Sequence, residues 1–195
     1  RKMSKSTGNS VDPVGIIQDF GADALRFTLA SQLASGRDLK FSQQRLEGNR
    51  NFMNKIWNAT RFALNALDGF VAPQNPDEEL PNKSDLSDVD KWITYKLGQC
   101  EAEVEKALEQ YRFSDAANAV YSFAWHEFCD WYLEYVKPII YGENGAEKSA
   151  TQLVLAQTLN RLMRLLHPFI PFITEELFQK LPIKSEALVV ATYPT

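Results

Sequence analysis

Ser42-Gln43-Gln44-Arg45-Leu46-Glu47-Gly48-Asn49-Arg50-Asn51-Phe52-Met53-Asn54-Lys55-Ile56-Trp57-Asn58-Ala59-Thr60-Arg61-Phe62-Ala63-Leu64-Asn65-Ala66-Leu67 contains no proline. At ~100° per residue, Leu46, Met53, Ile56, Trp57, Thr60, Leu64 and Leu67 fall on one stripe. The pattern predicts a helix over 42–67, opened by Ser42 as N-cap, with that stripe turned to a core. The opposite face carries Glu47, Arg50, Asn51, Asn54, Asn58, Arg61 and Asn65. Amides donate and accept, so they can meet base edges, and arginine pairs with phosphate. Phe62 falls off the core stripe, one turn from Asn58 and beside Lys55, as base stacking would require. A second helix covering Phe62, with the asparagines merely solvated, satisfies the same pattern. The helix pattern leaves both readings open.

Outward from this helix the chain reads as helical on both sides. Pro13 suits the first turn of a short helix. Ala22-Asp23-Ala24-Leu25-Arg26-Phe27 opens another, to about Leu33. Residues 69–87 read as an irregular connection with Gly69, Pro73, Pro76 and Pro81. Ser87 and Asp90 form a capping-box pattern, with Asp in place of the usual Glu, for a helix to about Tyr111. Ser114 or Asp115 caps the next, which runs to about Tyr135 ahead of Pro138. A further helix spans about Glu147 to Leu166 and stops at His167-Pro168. A short one covers Thr174–Leu181, with Thr174 as a natural cap, and Leu188-Val189-Val190 suggests a short strand. The expected fold is all-α, a bundle of four or five helices. Residues 1–41 make a loop and helical lead-in, and residues 42–195 the bundle.

The chain has 195 residues, 45% of them hydrophobic, which is ample for a buried core. No apolar run reaches the ~18–20 residues of a membrane span, and no signal-like segment opens the chain. Cys100 and Cys129 form no disulfide framework, which fits a reducing cytoplasm. Residues 1–65 hold ten Lys/Arg and five Asp/Glu, whereas residues 66–195 hold eleven and twenty. Polyanion contacts are therefore expected toward the basic amino end.

Lys2-Met3-Ser4-Lys5-Ser6, followed by Thr7-Gly8-Asn9, carries the chemistry. Two lysines three apart on a mobile loop can both reach one polyphosphate, and their charge can stabilise a departing pyrophosphate. A solvated basic tail would also contain such lysines. The string resembles the KMSKS signature of class I aminoacyl-tRNA synthetases. Asn9, Asp12-Pro13 and the stretch 22–27 are similar to that family too. Gly36-Arg37-Asp38, Arg45-Leu46-Glu47-Gly48, residues 50–62, Glu127-Phe128-Cys129-Asp130-Trp131-Tyr132-Leu133-Glu134 and Lys137-Pro138 resemble its valyl-type members in particular. His167-Pro168-Phe169-Ile170-Pro171-Phe172-Ile173-Thr174-Glu175-Glu176-Leu177 resembles the branched-aliphatic subgroup generally. Asn49 departs from the pattern, which has an aromatic or small residue there.

The resemblance implies a piece of a larger valine–tRNA ligase, comprising the last catalytic loop and the anticodon-binding domain. Lys2 and Lys5 would act in catalysis by holding the ATP phosphates, with Ser4, Ser6 and Asn9 shaping the loop and Mg2+ arriving with ATP. Arg45, Arg50, Asn58 and Phe62 would bind tRNA(Val), in the cytoplasm. The upstream catalytic domain of the same chain would be the other partner. The piece alone would bind tRNA without activating an amino acid. An isoleucyl- or leucyl-type synthetase and a non-catalytic helical RNA-binding module are the alternatives.

Other chemically suggestive residues read as structural. His126 has Glu127 and Cys129 nearby, but zinc needs four ligands and no second His or Cys lies at ligand spacing. The aromatics around His126 and Cys129 imply a packed helix. Glu175 and Glu176 are adjacent and so do not face each other; they suit a helix start. No metal site is expected.

Overall fold

The structure, a computed structural model, describes residues 10–33, 41–73, 84–184 and 186–194. Its regular elements are all helical, with no strand among the described residues. In chain order they are α1 (Pro13–Phe20), α2 (Ala22–Ala30), α3 (Gln43–Ala66), α4 (Asp88–Glu109) and α5 (Phe113–Ser122). A π-helical segment (Phe123–Tyr132) continues α5 into α6 (Leu133–Tyr135). α7 (Lys137–Ile140), α8 (Ala146–Leu166), α9 (Pro171–Phe178) and one 3-10 turn (Leu188–Val190) complete the chain.

α1 starts where Asp12 accepts from the amides of Val14 and Gly15, with proline at its first position. It ends at Gly21, whose φ of 88° lies in the region open to glycine and whose N–H closes on the Ile17 carbonyl. α8 lies innermost: from Ala150 to Leu166 only Gln157, Arg161 and Arg164 escape full burial. α3, α4, α5, α7 and α9 pack against it. Phe27, Phe52, Ile56, Ile93, Phe128, Tyr132, Leu155 and Leu159 are among the core side chains almost wholly removed from water.

Buried polar groups tie the helices together. The Ser87–Asp90 capping box is formed, and Asp90 is fully buried. Its carboxylate also accepts from the Tyr132 hydroxyl at 2.8 Å and the Thr151 hydroxyl at 2.7 Å, joining α4 to the π segment and α8. Burial, then the Asp90 charge, holds the Tyr132 phenol well above its ordinary range. Arg161 donates to Glu101 at 2.7 Å, a second tie from α8 to α4.

A clamp joins α2 to the turn between α8 and α9. Arg26 donates to the carbonyls of Pro168 and Phe169 at 2.9 and 3.2 Å. Asp23 accepts from the amides of Phe172 and Ile173 at 3.3 and 2.7 Å. Those amides open α9, so the N-terminal charge of that helix is met by a carboxylate from another helix.

Several local expectations are corrected. Thr174 is not the cap of α9: the helix begins three residues earlier, at Pro171, and the Thr174 hydroxyl donates back to the Ile170 carbonyl. Arg112, not Ser114 or Asp115, stands at the N-cap of α5, and Asp115 pairs with it. Ser42 occupies the N-cap of α3 but makes no side-chain cap bond. Leu188–Val190 forms a 3-10 turn; Glu175 binds the Leu188 amide, and no neighbouring strand is present among the described residues to pair with it. On α3 the buried arc is wider than the expected stripe: it adds Phe52, Ala59, Ala63 and Ala66. Trp57, 39% exposed, lies at the arc's edge, and Leu64 is half-buried. Alanines bury wherever a neighbouring helix approaches closely, and hydrophobicity alone underweights them.

Candidate nucleic-acid interface

The outward face of α3 carries a continuous polar strip rich in amides. Glu47, Arg50, Asn51, Asn54, Asn58, Arg61 and Asn65 are all exposed. From Glu47 to Asn65 the strip runs about 27 Å at 1.5 Å per residue. Among the described residues, Asn51, Asn54, Asn58 and Asn65 place no side-chain amide in an internal hydrogen bond. Four unspent amides on a rigid helix leave donors and acceptors free for an outside partner.

Asn58 and Phe62 are brought together in a hollow of about 250 Å³ that also holds Lys55, Cys129, Glu134 and Lys137. Phe62 is half-buried: part of its ring packs on the core and part faces the hollow. The Lys137 ammonium stands 5.5 Å from the ring centroid and pairs with Glu134 at 2.6 Å. Lys55 lies 4.0 Å from the Trp125 centroid and pairs with Asp130. An aromatic ring, an amide and two ion-paired ammonium groups, with the Glu134 carboxylate, thus share one concavity. Burial pushes the Cys129 thiol up to about 12, so it is neutral and no nucleophile at neutral pH.

Arg45 and Arg50 line separate hollows. Arg50 lays its guanidinium 5.6 Å from the Phe20 centroid, in a depression shared with Asn54, Trp57 and Phe172. Arg45 borders a third hollow beside Asn49, Asn118 and Tyr121. Lys2, Ser4, Lys5, Ser6 and Asn9 lie outside the described residues.

Reading the sequence for function missed Lys137, although Lys137-Pro138 was among the stretches carrying the resemblance. It also missed Asn118 and Tyr121, which no local spacing links to α3. His126 is corrected in position. Its side chain is 59% exposed, 3.5 Å from Asp130, and not packed inside a helix cluster. His167 is half-buried, with Nδ1 2.9 Å from the Thr174 hydroxyl. Burial is the main cause holding its pKa below 6.5.

Solved structures place the fold. The ternary complex of a LeuRS from Agrobacterium radiobacter K84 with tRNA and LeuAMS superposes with a TM-score of 0.74 at 25% identity, over 100% of this chain and 22% of that one. Methionyl-tRNA synthetase of Mycobacterium tuberculosis with methionyl-adenylate gives 0.70 at 21% identity, over 90% of this chain and 35% of that one. The bundle is thus of the kind carried by synthetases. Residues 90–195 match the family described as anticodon-binding domain of tRNA ligase, and residues 1–42 match tRNA synthetases class I (I, L, M and V). The chain belongs to the anticodon-binding domain family of tRNA ligases. Among its relatives, Valine--tRNA ligase of Bdellovibrio bacteriovorus is 62% identical over 194 residues, covering 100% of this chain and 22% of the relative. That of Geobacter sulfurreducens is 51% identical over 196 residues, again covering 100% and 22%. The chain spans about a fifth of the length of these relatives.

Proposed function

We propose that the chain is the tRNA-anticodon-binding part of a valine–tRNA ligase. Residues 42–195 form the anticodon-binding domain and residues 1–41 the end of the catalytic domain. In the whole enzyme, which acts in the cytoplasm, ATP and Mg2+ activate valine for transfer to tRNA(Val). Lys2 and Lys5 hold the ATP phosphates, and Ser4, Ser6 and Asn9 shape the loop around them. That assignment rests on the resemblance of the loop to the class I signature. The upstream catalytic domain completes the active site, so this chain alone binds tRNA and activates no amino acid.

One observation carries the RNA reading: the unspent amides of α3 run directly into the hollow of Asn58, Phe62 and Lys137. Phe62 offers part of a ring for a base to stack on, and Asn58 reads the base edge. Arg45 and Arg50 add phosphate contacts along the same helix.

The test is a fluorescence titration with two tRNA transcripts, one valine-accepting and one with its anticodon changed, at two salt concentrations. Tighter binding to the valine anticodon is expected, with affinity for both falling as salt rises through counterion release. Phe62→Ala should abolish the preference, losing about tenfold on the valine transcript, as a stacked base is worth ~1–3 kcal/mol. Equal binding of both transcripts, or an unchanged preference in Phe62→Ala, would sink the anticodon assignment.

A further inference from the structure

We infer that the hollow between α2, α3, α5 and the π segment receives one unpaired nucleotide of the tRNA, outside the anticodon triplet. This inference rests on the tRNA-binding reading above. The hollow is an open depression of about 440 Å³, within the ~300–1,000 Å³ range typical of small-ligand sites.

Its lining is amide-rich, and Asn51 adds an amide with no internal partner among the described residues. No carboxylate lines it. Arg45, at its edge, makes no ion pair among the described residues, so its guanidinium is free for a phosphate. Three amides are tethered by their NH2 ends. Asn49 donates to the Thr28 hydroxyl at 2.7 Å, Gln32 to the Thr28 carbonyl at 2.9 Å, and Asn118 to the Ser31 carbonyl at 3.3 Å. Their carbonyl oxygens have no partner among the described residues and are left as acceptors held in place by those tethers. These acceptors, with the second N–H of each amide and the free amide of Asn51, can meet the polar edge of a base. The Tyr121 hydroxyl is also unpartnered among the described residues. Its ring is fixed between Phe52 at 4.7 Å and Trp125 at 5.6 Å.

Gly48 supplies an independent observation. It sits inside α3, where glycine weakens a helix. A Cβ added there meets nothing within 4 Å, so packing does not demand glycine. Gly48 lines the hollow, and its missing side chain is what keeps that wall open.

Position separates this hollow from the anticodon. Along α3, Gly48 lies about 15 Å from Asn58 and about 21 Å from Phe62 at 1.5 Å per residue. A stacked triplet spans about 7 Å at ~3.4 Å per step. The nucleotide in this hollow therefore comes from another part of the tRNA.

Gly48→Leu projects a side chain into the hollow from its α3 wall while improving helix propensity, and circular dichroism separates loss of binding from loss of fold. With the two transcripts described above, Gly48→Leu should weaken both by about tenfold, the size of one good polar contact, and leave their ratio unchanged. Phe62→Ala should do the reverse and remove the ratio. Parent-like affinity of Gly48→Leu for both transcripts overturns the inference. So does a loss confined to the valine-anticodon transcript. If the parent binds both transcripts equally while Gly48→Leu weakens both, the anticodon reading fails and the hollow stands. Micromolar binding of AMP or CMP that Gly48→Leu abolishes, with tRNA affinity intact, would assign the hollow to a free nucleotide and overturn its assignment to tRNA.

Discussion

α3 and α8 are both long helices of the same bundle, and they use polar residues in opposite ways. On the inner face of α8 three buried polar side chains each donate inward: Thr151 to Asp90, Gln152 to the Ala66 carbonyl and Asn160 to the Ile183 carbonyl. On the outer face of α3, Asn51, Asn54, Asn58 and Asn65 are exposed and unengaged among the described residues. A buried polar group must be bonded or it costs stability. An exposed one need not be, and is available to a partner. The contrast separates polar residues that hold the fold from those available for recognition.

The contrast can be broken most sharply at Asp90. Asp90→Ala leaves the Tyr132 and Thr151 hydroxyls buried without their acceptor and removes the α4 capping box. It should cost about 4 kcal/mol in urea unfolding, summing buried-group penalties of ~1–3 kcal/mol and a cap of ~1 kcal/mol. An effect below about 1 kcal/mol, the size of a single surface change, would mean that the network does not hold the helices.

Asn58→Ala should show the mirror image. Stability should move by less than about 0.5 kcal/mol, as at ordinary surface sites, while affinity for the valine transcript falls several-fold. If unfolding shifts and binding does not, α3 belongs with α8.

A smaller effect is expected at His167, on the turn after α8. Its folded pKa lies below 6.5, so its contribution is present above pH 6.5 and is lost as pH falls through the depressed value. His167→Gln should flatten the urea-midpoint profile between pH 7 and 5. A profile unchanged by His167→Gln would show that this histidine does not set the pH dependence of stability.

The local part of this molecule was readable from sequence. The capping box of Ser87 and Asp90, the helix 42–67 and the halt at His167-Pro168 each depend on neighbours a few residues away. Asp90's bonds to Tyr132 and Thr151 reach across 42 and 61 positions, and no periodicity encodes such a pairing. Asn49, which departs from the family pattern, proves to donate to Thr28 on α2, 21 positions earlier. The amide face of α3 was legible because exposure follows directly from helical period. The partners that complete its hollows, Lys137 and Asn118, were not, because only packing brings other helices beside it.

The clamp on the α8–α9 turn has a mechanical consequence. A single bond between two bodies is a swivel, whereas two bonds set apart resist torque. Arg26 and Asp23 grip opposite ends of one turn, and they do so with opposite polarity: a donor meets carbonyls at one end and an acceptor meets amides at the other. α2 can therefore neither spin against the bundle nor seat in reverse. Tension or twist applied at one is carried to the other as if through a keyed shaft.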